Sequence, residues 1–200
     1  MGHRPDLGRR RRADRSMSTE QPVSGNSRHG DYSRSQGPVA EPARGTAAEG
    51  IARMHHVGIQ VADLDRSLAF YEGLLGFEVI TRQVRGEAYA GEVVGYPGVE
   101  LHLAHLRPPN SSVVIELTEY RGVERTPVDT STANPGTAHT CYVVDDVEAV
   151  HAALLAAGVR PVSRTIVSPE VGIAKGGKVV YVQDPDGVRV ELLQPPPSSS

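Results

Sequence analysis

Two histidines and two glutamates stand out because each lies in or beside an apolar segment, and each His–Glu pair recurs in the second half of the chain. An unpaired buried carboxylate is costly, so a glutamate within an apolar strand indicates a partner. Two imidazoles and two carboxylates suit Zn²⁺, Ni²⁺, Co²⁺, Mn²⁺ or Fe²⁺ and leave positions for water or substrate. No thiolate is among them, which disfavours a closed structural zinc site. We predict one divalent metal ion held by His56, Glu116, His139 and Glu191.

The alternation of side chains along a strand explains how these four donors reach equivalent faces. In residues 56–61 the apolar side chains must pack on the following helix, so His56 points away from it. The same alternation in residues 112–118 puts Glu116 on the face of His56. In the second half of the chain, the same alternation puts His139 and Glu191 together on the face away from the helix. Two such sheets facing each other would bring all four side chains together.

Each half of the sequence runs from a strand through a helix to further strands. The first helix follows Asp63, a capping candidate, and stops at Gly76; the second follows Asp145 or Asp146 and stops at Gly158. This repeat of whole units predicts an α+β fold. Two tandem βαβββ modules would form an eight-stranded, incompletely closed, barrel-like sheet around a metal cleft. The segments assigned as strands are residues 56–61, 77–82, 99–106, 112–118, 139–144, 178–183 and 188–193.

The composition divides the chain into a polar tail and one domain. Residues 1–52 have almost no large apolar side chains and are predicted to be disordered. Residues 53–195 are predicted to be a single domain, followed by a disordered end at 196–200. The domain comprises module one at residues 54–118, a linker at 119–136 and module two at 137–195.

Charge and cysteine usage limit the partners that the protein is expected to have. The tail carries nine arginines and six acidic residues, whereas the remainder carries twelve basic and eighteen acidic residues. An acidic body predicts no nucleic-acid partner. The single cysteine excludes an intrachain disulfide, and no apolar segment follows the arginines at residues 9–12. We therefore expect a cytoplasmic protein without a membrane partner, since no stretch approaches the roughly 20 apolar residues of a membrane span.

The other histidines and the cysteine have less distinctive settings. His55 is expected to point to the helix side of its strand. His102 could line the cleft, but the favoured interpretation is a solvated or packed histidine. His105 and His151 are interpreted as surface residues. Cys141 is interpreted as a small packing residue on the cleft face, because no general base accompanies it as nucleophilic catalysis would require.

Two longer motifs carry a resemblance to a known superfamily. The stretch HVGIQVADL at residues 56–64, followed by FYxxLLGF at 70–77, resembles the opening of vicinal-oxygen-chelate proteins. The stretch DPDGxxxEL at residues 184–192 resembles their closing hairpin. This superfamily includes glyoxalase I, bleomycin-resistance proteins and extradiol dioxygenases. The resemblance is more specific for the fold than for the reaction.

The His/Glu/His/Glu set is most similar to that of glyoxalase I, as are VIELT at 114–118 and KGG at 175–177. The resemblance implies a lyase or isomerase that acts on a small oxygenated metabolite through a metal-stabilised enediolate, with Glu191 or Glu116 moving the proton. It also implies a homodimer, because a second chain often covers the open sheets in relatives. Glyoxalase I usually has an asparagine that helps to hold glutathione where residues 119–121 read Glu-Tyr-Arg. The thiol cosubstrate is therefore left open.

Two alternatives have different chemistry. In an extradiol-type Fe²⁺ dioxygenase, the iron would be bound by His56, His139 and Glu191. His102 would lie beside these ligands, and Glu116 would have no role as a ligand. Oxygen uptake would separate that enzyme from a lyase. A protein that confers resistance by binding a small molecule or antibiotic would leave its ligand intact, and it would have little use for four placed donors.

Overall fold

The computed structural model describes residues 52–197, which form seven strands, three helices and two open mixed sheets. The predicted α+β class is confirmed. Disorder is predicted at residues 1–52 and 196–200, and of these segments residues 1–51 and 198–200 lie outside the described residues. Within them, none of the helices has the length and apolarity that a membrane crossing requires. The elements are β1 Val57–Gln60, α1 Leu64–Tyr71, β2 Glu78–Arg85, α2 Ala88–Val94, β3 Glu100–Arg107, β4 Ile115–Arg121, β5 His139–Val143, α3 Val147–Ala156, β6 Lys178–Gln183 and β7 Arg189–Gln194.

The first module is a four-stranded sheet in the order β1-β4-β3-β2. Strands β1 and β4 are parallel, whereas β3 is antiparallel to both of its neighbours. Parallel pairing needs a crossover connection, which α1 and the two intervening strands provide. The register places Gly58 opposite Glu116. His56, just ahead of β1, therefore lies near the glutamate in the middle of the sheet.

The two long helices begin where the sequence predicts. The Asp63 carboxylate accepts a hydrogen bond from the backbone N–H of Arg66 at 2.9 Å, and Asp146 accepts one from Ala149 at 2.9 Å. These bonds satisfy backbone donors that a helix leaves free at its first turn. Helix α1 ends at Tyr71, earlier than the predicted stop at Gly76, and a turn follows it. Gly76 ends that turn with φ of 71°, a left-handed conformation that glycine adopts without steric cost. The caps fix the direction in which the chain leaves β1 and β5.

The second module has three strands in the order β5-β7-β6, so the prediction of eight strands is wrong for the described residues. The segment after α3 runs along the outer edge of β6 without forming a strand, and its β-type pairing there is limited to two isolated bridges, Pro161–Val182 and Val167–Val179. Five residues of this segment stand between the bridges, opposite two residues of β6, so a regular ladder cannot form. Pro161 also lacks the N–H that a ladder needs. This edge of the second sheet is therefore irregular and adds no further strand to it.

Both modules bury their helix-bearing faces in one common core. Ile59 and Leu106 from the first module and Val180 and Leu192 from the second belong to the same buried cluster. The rings of Phe77 and Tyr142 also meet edge to face across it, with centroids 5.1 Å apart. Because the helix-bearing faces meet in this core, the opposite faces of the two sheets lie on its outside. Those outer faces carry the predicted metal ligands.

Helix α2 was not predicted, and it covers one end of the outer face of the first sheet. A second, smaller cluster forms there, in which Ala90 of the helix packs with Leu101 and Leu103 of β3. The helix lies close to the following turn, since a Cβ at Gly91 would come 2.7 Å from the carbonyl oxygen of Tyr96. With seven residues, this helix is too short to show a clear helical period in the sequence.

Asp184 ties the two modules together from inside the core. Its side chain is 1% exposed, and its carboxylate accepts hydrogen bonds from the Tyr71 hydroxyl at 3.1 Å and from two backbone N–H groups. Burial raises the pKa of Asp184, and the bonds partly counter that rise. The neighbouring Asp186 accepts a bond from the backbone of Ala62 at 3.0 Å. The turn between β6 and β7 therefore also connects the modules.

Replacing Asp184 with alanine is expected to destabilise the protein by about 3 kcal/mol. The Tyr71 hydroxyl and two N–H groups would lose their acceptor, and an unsatisfied buried donor costs about 1–3 kcal/mol. Urea unfolding would measure the loss. Asp145→Ala, at an exposed position between β5 and α3, should stay within about 0.5 kcal/mol of wild type. Equal effects of the two substitutions would contradict the role of Asp184.

Candidate metal centre

The first module brings His56 and Glu116 together on its outer face. Glu116 lies in β4 between Ile115 and Leu117, which are both buried in the common core. The alternation therefore turns the glutamate to the outside, as the sequence indicates. The His56 Nε2 atom lies 3.6 Å from Glu116 Oε1, and the glutamate side chain is 20% exposed. This pair offers one nitrogen and one carboxylate in a half-buried setting.

The second module does the same with His139 and Glu191. Val190 and Leu192 on either side of the glutamate are buried, so Glu191 also points to the outer face. Its Oε2 atom lies 3.2 Å from His139 Nε2. Each module therefore pairs its predicted histidine with its predicted glutamate.

The two pairs do not merge into one cluster within the described residues. There, the only group of three or more potential ligands consists of His56, His105 and Glu116, whose donor atoms all lie within 4.8 Å of one another. The common core explains the separation, because the outer faces of the two sheets lie on either side of it. A site built from all four predicted ligands stays a prediction.

The interpretation of His105 as a surface residue is wrong. The register of β3 and β4 places His105 opposite Glu116, and its Nε2 atom lies 2.9 Å from Glu116 Oε2. Its Nδ1 atom is 2.9 Å from the Thr81 hydroxyl of β2. The side chain is only 18% exposed. The sequence did not indicate this contact, because it does not show which residues of β3 and β4 pair across the loop that joins them.

The expectation for His55 is also corrected, whereas His102 is a partly buried residue in contact with an acidic neighbour, in line with the favoured interpretation of it as solvated or packed. His102 lies opposite Glu119 on the helix-bearing face and contacts Glu100, with 2.5 Å between Nε2 and Oε1. It therefore does not line the outer face. His55 does not turn to the helix side, since its Nδ1 atom lies 2.7 Å from Nδ1 of His56.

Tyr181 is a further residue of the second module that the sequence analysis missed. Its hydroxyl donates a hydrogen bond to Glu191 Oε2 at 2.7 Å and lies 3.3 Å from His139 Nε2. Burial and this bond raise the pKa of Tyr181, so the phenol stays a donor at neutral pH. The sequence does contain an indication of this role. Val180 and Val182 are buried, so the alternation of side chains along β6 turns Tyr181 to the outer face, where it lies opposite Glu191.

Cys141 lies opposite Glu191 in the pairing of β5 and β7, on the same outer face. Desolvation and the nearby carboxylate raise the pKa of its thiol to about 11. The thiolate is the nucleophilic form of cysteine, and such a pKa makes it rare at neutral pH. This supports the prediction that Cys141 is not a nucleophile, although the side chain is exposed rather than packed.

Glu119 belongs to the segment 119–121, which departs from the usual glyoxalase I pattern. It has a structural role on the helix-bearing face of the first sheet. Its carboxylate is 5% exposed and accepts hydrogen bonds from the Leu64 backbone at 3.0 Å and from the Arg121 guanidinium at 2.7 and 3.1 Å. The Arg121 bonds hold the pKa of Glu119 below its usual range. Glu119 thus joins β4 to the start of α1, and only Tyr120 of this segment faces outward beside Tyr96.

Glu119→Gln is expected to remove a pH-dependent part of the stability. A lowered pKa in the folded state contributes stability above the unfolded pKa of about 4.3 and loses it as pH falls through the folded pKa. Wild type should exceed the variant by about 1–3 kcal/mol at pH 7, with the gap closing below about pH 4. Unfolding at several pH values measures this gap. Glu124→Gln, at an exposed position, should show no gap, and a constant gap for Glu119→Gln would argue against the ion pair.

The comparison with protein families decides the identity of the domain. Residues 53–192 match the Glyoxalase/Bleomycin resistance protein/Dioxygenase superfamily. The chain belongs to this superfamily. A solved structure of a glyoxalase family protein from Bacillus cereus shares the fold, with a TM-score of 0.62 at 22% identity, and the match covers 75% of this chain and 98% of that one. The resemblance inferred from the sequence motifs is confirmed.

Relatives within the superfamily carry the name of one enzyme. The chain is 34% identical over 145 residues to a probable lactoylglutathione lyase of Vibrio parahaemolyticus, covering 71% of this chain and 90% of that one. It is 34% identical over 149 residues to a probable chloroplastic lactoylglutathione lyase of Arabidopsis thaliana. That match covers 73% of this chain and 37% of the plant protein, so the chain spans little more than a third of that relative. These names agree with the predicted glyoxalase-like lyase, and they favour it over the dioxygenase and the binding protein.

Proposed function

We propose that this chain is a metal-dependent lyase or isomerase of the glyoxalase I type, with one divalent ion held by His56, Glu116, His139 and Glu191. The observation that carries the proposal is the same in both modules. Each module places one imidazole and one carboxylate on its outer sheet face, 3.6 Å apart in the first and 3.2 Å apart in the second. The names of the relatives support the reaction class.

The donor set fits a divalent ion. Bonds of about 2.0–2.2 Å to nitrogen and oxygen put neighbouring donors roughly 3–3.5 Å apart, close to the separations within each pair. Two carboxylates balance a 2+ charge, and a divalent ion in such a site supplies a Lewis acid for a developing oxyanion. Nitrogen and oxygen donors are compatible with Ni²⁺, Zn²⁺, Co²⁺, Mn²⁺ and Fe²⁺.

The protein's own contribution to the reaction is to move a proton. Tyr181 donates to Oε2 of Glu191 and so orients that carboxylate, and we assign its Oε1 as the oxygen that accepts the proton. Glu116 is the second candidate base, but each of its oxygens already lies near a histidine. This difference favours Glu191 as the base.

The arrangement of the two sheets supports a homodimer in which two chains share each site. Their ligand-bearing faces lie on the outside of a common core, so module one of one chain can face module two of another. A two-fold axis then completes two equivalent sites. Val143, on the outer face of β5, is 67% exposed and would be covered in such an assembly. One module from each of two chains would thus surround each metal cleft.

The substrate class follows from the names of the relatives. We infer an adduct between a 2-oxoaldehyde and a low-molecular-weight thiol, which isomerises to a 2-hydroxy thioester. The reaction moves one proton from the carbon that bears the thiol to the neighbouring carbonyl carbon, while the oxygens exchange hydroxyl and carbonyl character with no net oxidation. The thiol itself is left open, because residues 119–121 depart from the usual glyoxalase I pattern.

Thioester formation from methylglyoxal premixed with glutathione or another small thiol tests this function. Protein supplied with Ni²⁺, Co²⁺ or Zn²⁺ should form the thioester, a chelator should abolish turnover, and added metal should restore it. Cys141→Ala should keep turnover within a few-fold, which separates the cosubstrate thiol from the protein's own. Metal-loaded protein that forms no thioester with any thiol of the panel would contradict the proposal.

A further inference from the structure

We propose that His105 is a third metal donor of the first module, so that His56, His105 and Glu116 form the primary binding site for the ion. This inference rests on the proposed function and deepens it. In this arrangement the ion is bound first by one module, and His139 and Glu191 then complete its coordination.

The geometry of the three donors converges on one point. Glu116 lies between the two histidines, with Oε2 at 2.9 Å from His105 Nε2 and Oε1 at 3.6 Å from His56 Nε2. All three donor atoms lie within 4.8 Å of one another. Donors around one ion with bonds of about 2.0–2.2 Å have comparable separations. Small side-chain rotations would therefore place an ion among them.

The second nitrogen of each imidazole already has a partner, as is usual for histidines that bind metals. His105 Nδ1 lies 2.9 Å from the Thr81 hydroxyl, and His56 Nδ1 lies 2.7 Å from His55 Nδ1. A hydroxyl can accept a hydrogen bond as well as donate one, so Thr81 can hold the proton of His105 on Nδ1. The Nε2 lone pair of His105 is then free for the ion.

The support for these donors is rigid, and the second module offers no equivalent. His105 and Glu116 lie directly opposite each other on adjacent strands, and His56 enters the neighbouring strand β1. In the second module, the residue opposite Glu191 on the adjacent antiparallel strand is Tyr181, whose neutral phenol is a weak ligand. The two modules are therefore unequal, with three strong donors in the first and two in the second.

Titration of the full-length chain with Co²⁺, in competition with a chelator, tests the proposal. His139→Ala/Glu191→Ala should still bind one Co²⁺ per chain. Adding His105→Ala should weaken that binding by more than about 100-fold, above the roughly 10–100-fold effect of losing an outer partner of a ligand. The Co²⁺ absorption spectrum should change as well, since a nitrogen donor is lost. The matched control adds His102→Ala instead, on the same strand but the opposite face, and should change neither.

Each outcome separates the inference from the proposed function. If wild type binds Co²⁺ but the His139→Ala/Glu191→Ala chain does not, the three-donor site is wrong and the four-ligand site stands. Equal affinity after adding His105→Ala would also overturn the role of His105. Absence of binding by wild type would overturn both proposals.

Thr81→Val gives a second test if the chain with His105→Ala does not fold, as judged by circular dichroism. It keeps the imidazole but removes the partner of Nδ1. In the His139→Ala/Glu191→Ala chain it should weaken Co²⁺ binding by about 10–100-fold. Unchanged affinity would count against His105 as a ligand.

Discussion

A chain that carries both Glu116→Ala and Glu191→Ala is expected to lose metal binding and turnover together. The two carboxylates supply the negative charge that balances a divalent ion, and one of them is the proposed base. A positioned base alone contributes about 10²–10⁴-fold to a rate, so turnover should fall by at least about 10³-fold. Steady-state thioester formation and the metal content of the purified protein measure the two losses.

The control for this variant removes two carboxylates elsewhere on the surface. Glu124→Ala/Glu170→Ala changes the net charge equally at exposed positions and should keep both properties. The melting temperature of metal-free protein should be similar in both variants, because the apolar core around Leu64 and Val147 forms without the ion. A Glu116→Ala/Glu191→Ala chain that keeps a tightly bound ion would contradict the ligand assignment.

Mixing two inactive variants is expected to restore activity if two chains share each site. Glu116→Ala damages only module one and Glu191→Ala only module two, so a mixed dimer has one site with both intact glutamates and one site without either. Random assortment makes half of the dimers mixed, so about a quarter of wild-type activity should return. Unfolding, mixing and refolding the two variants, followed by the thioester assay, measures the recovery.

The control for complementation combines two variants of the same module. His56→Ala mixed with Glu116→Ala leaves every site damaged in module one, so no activity should return. Mixed dimers that form, as shown by native mass spectrometry, but stay inactive would contradict sites shared between chains. The metal ligands would then have to meet within one chain.

Side-chain orientation was predictable in strands that bury only one face. In β4 and β7 the apolar residues alternate around Glu116 and Glu191, and both glutamates point to the outer face as expected. Strand β3 differs because both of its faces are apolar. Leu103 packs beneath α2 on one side and Ala104 in the common core on the other, so alternation could not show which side His105 takes.

The way in which the modules meet was not predictable from local patterns. Each helix-bearing face is apolar in the sequence, but alternation does not show whether the two faces join each other or face separate partners. Burial of Asp184 between them depends on the Tyr71 hydroxyl, which lies 113 positions earlier in the chain. The eight-stranded sheet is not formed in the described residues for a local reason, since Pro161 and the five residues between the two bridges prevent regular pairing along the edge of β6.

The most direct test of the metal centre is a Ni²⁺ titration of full-length, metal-free protein by calorimetry, with native mass spectrometry of the product. We expect one ion per chain and two per dimer. The melting temperature should rise with free Ni²⁺, since an ion at 100 times its dissociation constant stabilises the folded state by about 2.7 kcal/mol. Protein that binds none of Ni²⁺, Zn²⁺, Co²⁺, Mn²⁺ or Fe²⁺ would contradict a function built on His56, Glu116, His139 and Glu191.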